Sequence, residues 1–196
     1  MAPMQPDPRT LVIVAQPDLG GTSRVNLRWV RELEAHPDEF AVRDLYGLYP
    51  AGTIDEAGVA AEREALETHD LIVFQFPVYW YSCPALLRTW TDEVYGLGWA
   101  YGGERALPGE PGRMLANKRF AVAMSAGDAR ANYCAEGTVG FAPDQVIVPF
   151  RATANYVGAS CEAEPFALFG AELGLTDAAL ERSAADYVAW LRRLRA

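Results

Sequence analysis

One run of residues constrains this chain more than any other. TLVIVA, Thr10 to Ala15, is apolar at successive positions rather than at alternate ones. A strand with one wet face alternates, so a continuous apolar run belongs to a strand buried on both faces, as in a parallel sheet. The remainder of the chain fits that sheet. After the turn-rich QPDLGGTS, residues Arg24 to His36 carry Val25, Leu27, Trp29, Val30 and Leu33 near helical spacing, with Thr22 or Ser23 suited to the N-cap. A second strand is expected at Phe40 to Leu45, a helix at Asp55 to Thr68, and a third strand at Asp70 to Phe76. Pro84 opens the next helix, PALLRTWTDEVYG, at a favoured first-turn position. A fourth strand is expected at Arg119 to Met124, then a short helix at Pro149 to Tyr156, a last strand within CEAEPFALFG, and an amphipathic helix at Asp177 to Arg195. Strands that alternate with helices predict an α/β three-layer sandwich, a parallel sheet covered on both faces. No repeat or linker interrupts it, so residues 10–196 read as a single domain behind an N-terminal lead of residues 1–9. The irregular stretch Gly98 to Asn117 exceeds an ordinary connector and is expected to serve function or an interface.

Composition narrows the function classes. A net charge of −9 repels phosphates, which argues against non-specific nucleic-acid binding. Arg192, Arg193 and Arg195 gather at the end of the last helix, where they complement its dipole. Cys83, Cys134 and Cys161 form no CxxC pair, and with only His36 and His69 beside them a zinc site lacks ligands. The odd cysteine count, and an N-terminal MAPMQPDPR without an apolar segment, point to a reducing cytoplasm. No run of about 18 apolar residues is present to insert in a membrane.

In a doubly wound sheet of order 2-1-3-4-5, ligands bind beyond the carboxyl ends of the strands, between the loops after strands one, three and four. The first of these ends at a helix N-terminus with Gly20, Gly21, Thr22, Ser23 and then Asn26. Free amides and the positive dipole end make it a phosphate seat, though a plain N-cap after a glycine turn has the same appearance. The second is FQFPVYWYSCP, Phe74 to Pro84, with five aromatic residues and two prolines in eleven positions. Pro77 ends the ladder and Pro84 starts a helix, so Val78, Tyr79, Trp80 and Tyr81 are free to offer amides and ring faces to a flat ligand. Covering the core or a subunit contact is the competing use. The third loop, SAGDARANYCAEG, begins with small residues that allow close approach, and Tyr133 is placed to reach over a ring with its hydroxyl free. Phosphate at one end and a stacked ring at the other describe a flavin nucleotide.

At these residues the chain resembles the flavodoxin-like NAD(P)H:quinone oxidoreductase family, including the flavoprotein subunits that accompany bacterial glutathione-gated potassium efflux. The resemblance runs nearly the whole length and is most specific in DLIVFQFPVYWYSCPALLRTWTDEVYGLGWAYG. It implies a flavodoxin-like fold, FMN or FAD, with FMN favoured, an NAD(P)H donor and a homodimer whose contact includes Trp99 to Tyr101. It also implies that Ser23, Arg24, Val25 and Asn26 hold the phosphate end. Pro77, Val78, Tyr79 and Trp80 would line the ring, with Met124, Ser125, Ala126 and Gly127 on its other side. The chain departs from the family at three places. Gln16-Pro17 stands for His-Pro, Ala126 for a glycine beside the ring, and Val139 for the histidine that eukaryotic members pair with a tyrosine matched here by Tyr133.

The expected chemistry is a ping-pong transfer of hydride from NAD(P)H through bound flavin to a quinone or similar flat acceptor, with the cofactor supplying reactivity and the protein supplying orientation. Tyr133 is the candidate for steadying the acceptor oxygen, and Gln16 for donating to phosphate. Two other uses fit the residues: a flavoprotein that regulates a membrane transport partner, and a fold that has lost flavin in a specialised pathway, to which the changes at Gln16, Ala126 and Val139 lend weight.

Overall fold

The computed structural model describes residues 9–102 and 113–196. Its centre is set by the apolar runs. β1 (Thr10–Val14) is buried at every position, and β3 (Leu71–Pro77) and β4 (Arg119–Ser125) at nearly all. With β2 (Phe40–Asp44) at one edge, they form a parallel sheet of order β2-β1-β3-β4, with Leu11 beside Ile72 and Leu71 beside Arg119. Successive side chains leave opposite faces, and both faces are apolar. Leu11, Ile13, Ile72, Phe74, Phe76, Phe120, Val122 and Met124 enter one core; Val12, Val14, Leu71, Val73, Ala121 and Ala123 enter the other. A short fifth strand beyond β4 completes the expected 2-1-3-4-5 order.

Each face is covered by helices that suit it. α1 (Arg24–Glu34) and α7 (Asp177–Arg195) bury Val25, Trp29, Val30 and Leu33 with Leu180, Ala184, Tyr187, Val188 and Leu191. The small Ala121 and Ala123 leave depth for the rings of Trp29, Tyr187 and Phe166, whose centroids lie 5.0–5.2 Å apart. Thr176 caps α7 by accepting from the Ala179 amide at 3.2 Å, and Arg192 in its last turn grips Glu39 at 2.5 and 2.9 Å. The opposite face carries α2 (Leu45–Leu48), α3 (Glu56–Thr68), α4 (Ala85–Val94), α5 (Pro143–Val146) and α6 (Val148–Val157). α2 and α5 have too few residues to show periodicity, so neither was expected. The edge strand is fastened to this layer by Glu62, fully buried on α3, which receives Arg43 at 2.6 and 2.9 Å and the Tyr49 hydroxyl at 2.5 Å. Burial and that carboxylate push the Tyr49 hydroxyl up to about 12.

The last strand differs from its expected form. CEAEPFALFG supplies two short strands along one edge of β4: β5 (Ser160–Cys161) beside Arg119 and Phe120, and β6 (Phe166–Leu168) beside Ala123 to Ser125. The Glu162 amide still donates to the Phe120 carbonyl at 2.8 Å, but Pro165 has no amide for the ladder, and pairing resumes at Phe166 in a shifted register. The N-terminal lead, Arg9 apart, lies outside the described residues, as does 103–112 of the long irregular stretch. The ends of that stretch are packed. The Trp99 indole donates to Glu67 at 2.7 Å beneath the Arg63 guanidinium, and Ala100 is buried. Trp99 thus has an intramolecular seat on α3.

Candidate functional site

The carboxyl ends of β1, β3 and β4 open on a cleft of about 210 Å³. It is lined by Gln16, Thr22, Ser23, Arg24, Val25, Asn26, Pro77, Val78, Tyr79, Ser125 and Gly127, together with Ala171 and Glu172. Three sequence-distant loops therefore meet as the strand order requires.

The β1 end is an amide surface. Ser23 caps α1 in an extended conformation, but its hydroxyl makes no capping bond and the first turn contains no acid. Its first-turn amides have no intrahelical acceptors, which leaves them for an anion. Thr22 is already engaged, since its amide and hydroxyl both donate to Asp18 at 2.8 Å and hold that carboxyl below its ordinary range. Arg24 turns away from the seat: its guanidinium donates to the Leu175 carbonyl at 3.0 Å and to Asp177 at 2.6 Å. Gln16 is buried, with Oε1 lacking any partner among the described residues.

Asn26 has a structural use that the sequence did not reveal. Its Nδ2 donates to the Ser125 hydroxyl at 2.9 Å, while Gln75 Nε2 donates to its carbonyl oxygen at 3.2 Å and Oδ1 at 3.4 Å. Gln75 is the one polar residue inside β3 and is fully buried. The network ties the first turn of α1 to the two central strands.

The aromatic segment is a tight turn. Pro77 stays in β3 opposite Ser125, and Val78 extends the ladder by donating to the Ser125 carbonyl at 2.8 Å. Tyr79 and Ser82 then exchange amide-to-carbonyl bonds of 2.9 and 3.0 Å around Trp80 and Tyr81. Those two have φ of 48° and 59°, the signature of a type I′ turn, normally the province of Asn and Gly. The amides of Val78 and Tyr79, expected to face a ligand, are thus consumed, and those at the turn's tip, Trp80 and Tyr81, are left. The Trp80 side chain is 94% exposed and forms no part of the cleft wall.

Two more expected contacts fall elsewhere. Met124 is fully buried in the core on the α4 side, because the strand alternation that aims Ser125 at the cleft aims its neighbour away. Ala126 is buried and donates its amide to the Leu168 carbonyl at 2.8 Å, so neither residue lines the cleft. Tyr133 sits beyond the cleft wall, its ring buried against Phe169 at 4.9 Å and Tyr81 at 6.4 Å. Its hydroxyl bonds to no other described residue, and burial, with Tyr81 and Asp128 nearby, raises its pKa.

A fourth loop, after β6, completes the site and was missed. Gly170, Ala171 and Glu172 donate their amides to the carbonyls of Asp128, Ala126 and Gly127 at 2.7, 3.0 and 3.3 Å. Its signal was weak: two glycines, Gly170 and Gly174, now seen with positive φ.

A 2-1-3-4-5 parallel sheet with an amide-rich cleft at its switch point defines the flavodoxin-like class of α/β proteins. The chain belongs to the Flavodoxin_2 family (flavodoxin-like fold), whose model matches residues 8–191. It is 44% identical over 150 residues to the uncharacterised NAD(P)H oxidoreductase YrkL of Bacillus subtilis, covering 76% of this chain and 79% of the relative. It is 38% identical over 148 residues to the glutathione-regulated potassium-efflux system ancillary protein KefF of an Enterobacter species, covering 76% of each. General stress protein 14 of Treponema denticola, solved in complex with FMN, superposes with a TM-score of 0.83 at 42% identity, over 95% of this chain and 99% of that one.

Proposed function

We propose that the chain is a flavin-dependent NAD(P)H oxidoreductase that binds FMN in this cleft and passes reducing equivalents to a quinone or similar flat acceptor. The observation that carries the reading is the pairing of an unfilled amide surface at α1 with a backbone-lined slot at β3 and β4. The residues present fit such a group. Gln16 brings a buried Oε1, without a partner among the described residues, that can accept from a ligand hydroxyl rather than donate to phosphate. The Ser23 hydroxyl is uncommitted as a cap, and Gly127 has no side chain in the slot. FMN in the Treponema relative and the oxidoreductase name of YrkL support it.

Bound flavin would supply the two-electron chemistry. The chain's own part is placement. Ser23, Val25 and Asn26 present the first-turn amides of α1 to phosphate, while the Arg24 side chain holds the α7 loop in place. Pro77, Val78 and Tyr79 wall the slot, and the tip amides of Trp80 and Tyr81 donate where charge accumulates. Ser125 and Gly127 close the opposite wall. Tyr133 steadies the acceptor oxygen through its free hydroxyl. The ping-pong order comes from one slot serving donor and acceptor in turn. The reading includes a homodimer and a cytoplasmic setting, supported by exposed Tyr156 and Leu97 and by three free cysteines; no described helix is long and apolar enough to cross a membrane. A second reading, a regulatory subunit of a transport system, is favoured by the likeness to KefF.

The visible spectrum of the purified protein, before and after anaerobic NADPH or NADH, tests all three uses. A flavin band that bleaches is the expected result. A flavin that stays oxidised favours the regulatory reading, and a colourless protein that refuses FMN and FAD overturns the proposal in favour of a fold without flavin.

A further inference from the structure

One residue of the cleft wall is explained neither by packing nor by the phosphate seat. Glu172 stands beside Gly127, and its carboxyl group lies against that glycine's α-carbon. A Cβ built at Gly127 would come 2.9 Å from the Glu172 Cδ and 3.1 Å from Oε2. The loop fixes this position from both sides, with the Glu172 amide on the Gly127 carbonyl at 3.3 Å and the Ala171 amide on the Ala126 carbonyl at 3.0 Å. The other charged side chain of the wall, Arg24, is held by Asp177 at 2.6 Å. No lysine or arginine among the described residues forms an ion pair with Glu172. Among the described residues the cleft therefore keeps one carboxylate without an ion-pair partner, in a chain whose net charge is already −9.

We infer that Glu172 is a tuning residue that disfavours added negative charge in the cleft and makes the bound cofactor a stronger reductant. This rests on the flavin reading of the cleft. A hydride brings two electrons and one proton from the nicotinamide, which departs oxidised. Its arrival leaves one extra negative charge on the ligand unless a second proton is taken from solvent. A fixed carboxylate in the wall raises the free energy of that charged form more than of the oxidised one. Reduced flavin is then held less tightly than oxidised flavin. For a charge in a partly open cleft, the effect on the ratio of the two dissociation constants is roughly three- to tenfold.

The test uses the full chain and its Glu172→Gln variant, which removes the charge and keeps the shape. Glu172 is exposed on a loop, so the variant folds, and a thermal melt checks this. Dissociation constants are measured anaerobically for oxidised FMN, dithionite-reduced FMN and oxidised riboflavin, and the midpoint potential of bound FMN by dye equilibration. Glu172→Gln is expected to tighten reduced over oxidised FMN roughly three- to tenfold, raise the midpoint potential, and lose that advantage in high salt, while Glu172→Asp stays near wild type. An unchanged ratio and potential overturn the inference. Equal tightening of both redox forms of FMN, with riboflavin unaffected, also overturns it, because the carboxylate would then act on the phosphate. A wild-type chain that takes up no flavin overturns the flavin reading itself, which separates that failure from this one.

Discussion

At the α1 end of the cleft a buried chain of hydrogen bonds runs from Gln75 to Asn26 and from Asn26 to Ser125, with regular helix and strand on either side. At the β3 end the chain does the reverse. Two bulky aromatic residues hold left-handed conformations at the tip of an I′ turn, and one points almost wholly into solvent. Left-handed backbone costs about 1–2 kcal/mol per non-glycine residue. The turn also opposes the usual preference for small residues there. One end is thus settled by its own hydrogen bonds, while the other holds a shape that its local sequence disfavours. Strain of this kind persists where the surroundings impose it, and here Pro77, Pro84 and the Tyr79–Ser82 bonds do so.

The contrast breaks most directly at Asn26. Asn26→Ala deprives Gln75 of one acceptor and Ser125 of its donor in a buried setting, and is expected to lower unfolding free energy by about 2–3 kcal/mol. Urea denaturation of the flavin-free chain measures this, and FMN titration of the folded fraction is expected to show affinity weakened roughly tenfold as the first turn of α1 loosens. A loss below about 0.5 kcal/mol would mean that the network does not anchor the helix.

These two regions also differ in how far the sequence disclosed them. The sheet, its order, α1 and α7 were legible because burial on both faces writes itself as unbroken apolar runs, and helix faces as a repeat. The meeting of the loops after β1, β3 and β4 came from topology alone. Side-chain direction did not. Met124 and Ser125 are adjacent, and only the register against β3 decides which of them faces the cleft. Gln75 interrupts an otherwise apolar strand, and its partner Asn26 is too distant in sequence for any local pattern to pair the two. Trp80 read as part of a stacking wall, because no local rule predicts a I′ turn at Trp-Tyr.

The second way to sharpen the comparison relaxes the strained end. Trp80→Asn with Tyr81→Gly supplies the residues that a I′ turn prefers and is expected to stabilise the chain by about 1–2 kcal/mol. The backbone amides at the tip remain and neither ring lines the cleft, so FMN binding is expected to be retained within a few-fold. If the double variant is instead destabilised, the aromatic side chains contribute packing that outweighs the strain.

The smallest expected stability change is at Tyr133, which borders the strained end. Tyr133→Phe keeps the ring contacts with Phe169 and Tyr81 and removes only a hydroxyl with no partner among the described residues, so stability should move by less than about 0.5 kcal/mol. Acceptor kcat/KM is expected to fall roughly tenfold, the worth of one hydrogen bond in the site, with the rate of flavin reduction by NAD(P)H unchanged. The pH dependence comes from the raised pKa of this tyrosine, caused first by burial. A group raised in the folded state stabilises the fold fully below its unfolded value, about 10, and that contribution disappears as pH rises through the folded value. The hydroxyl therefore stays a donor throughout the neutral range, and the Phe variant should differ from wild type by a constant factor between about pH 6 and 9. A difference that instead appears only on one side of that range would assign the acceptor's proton to another group.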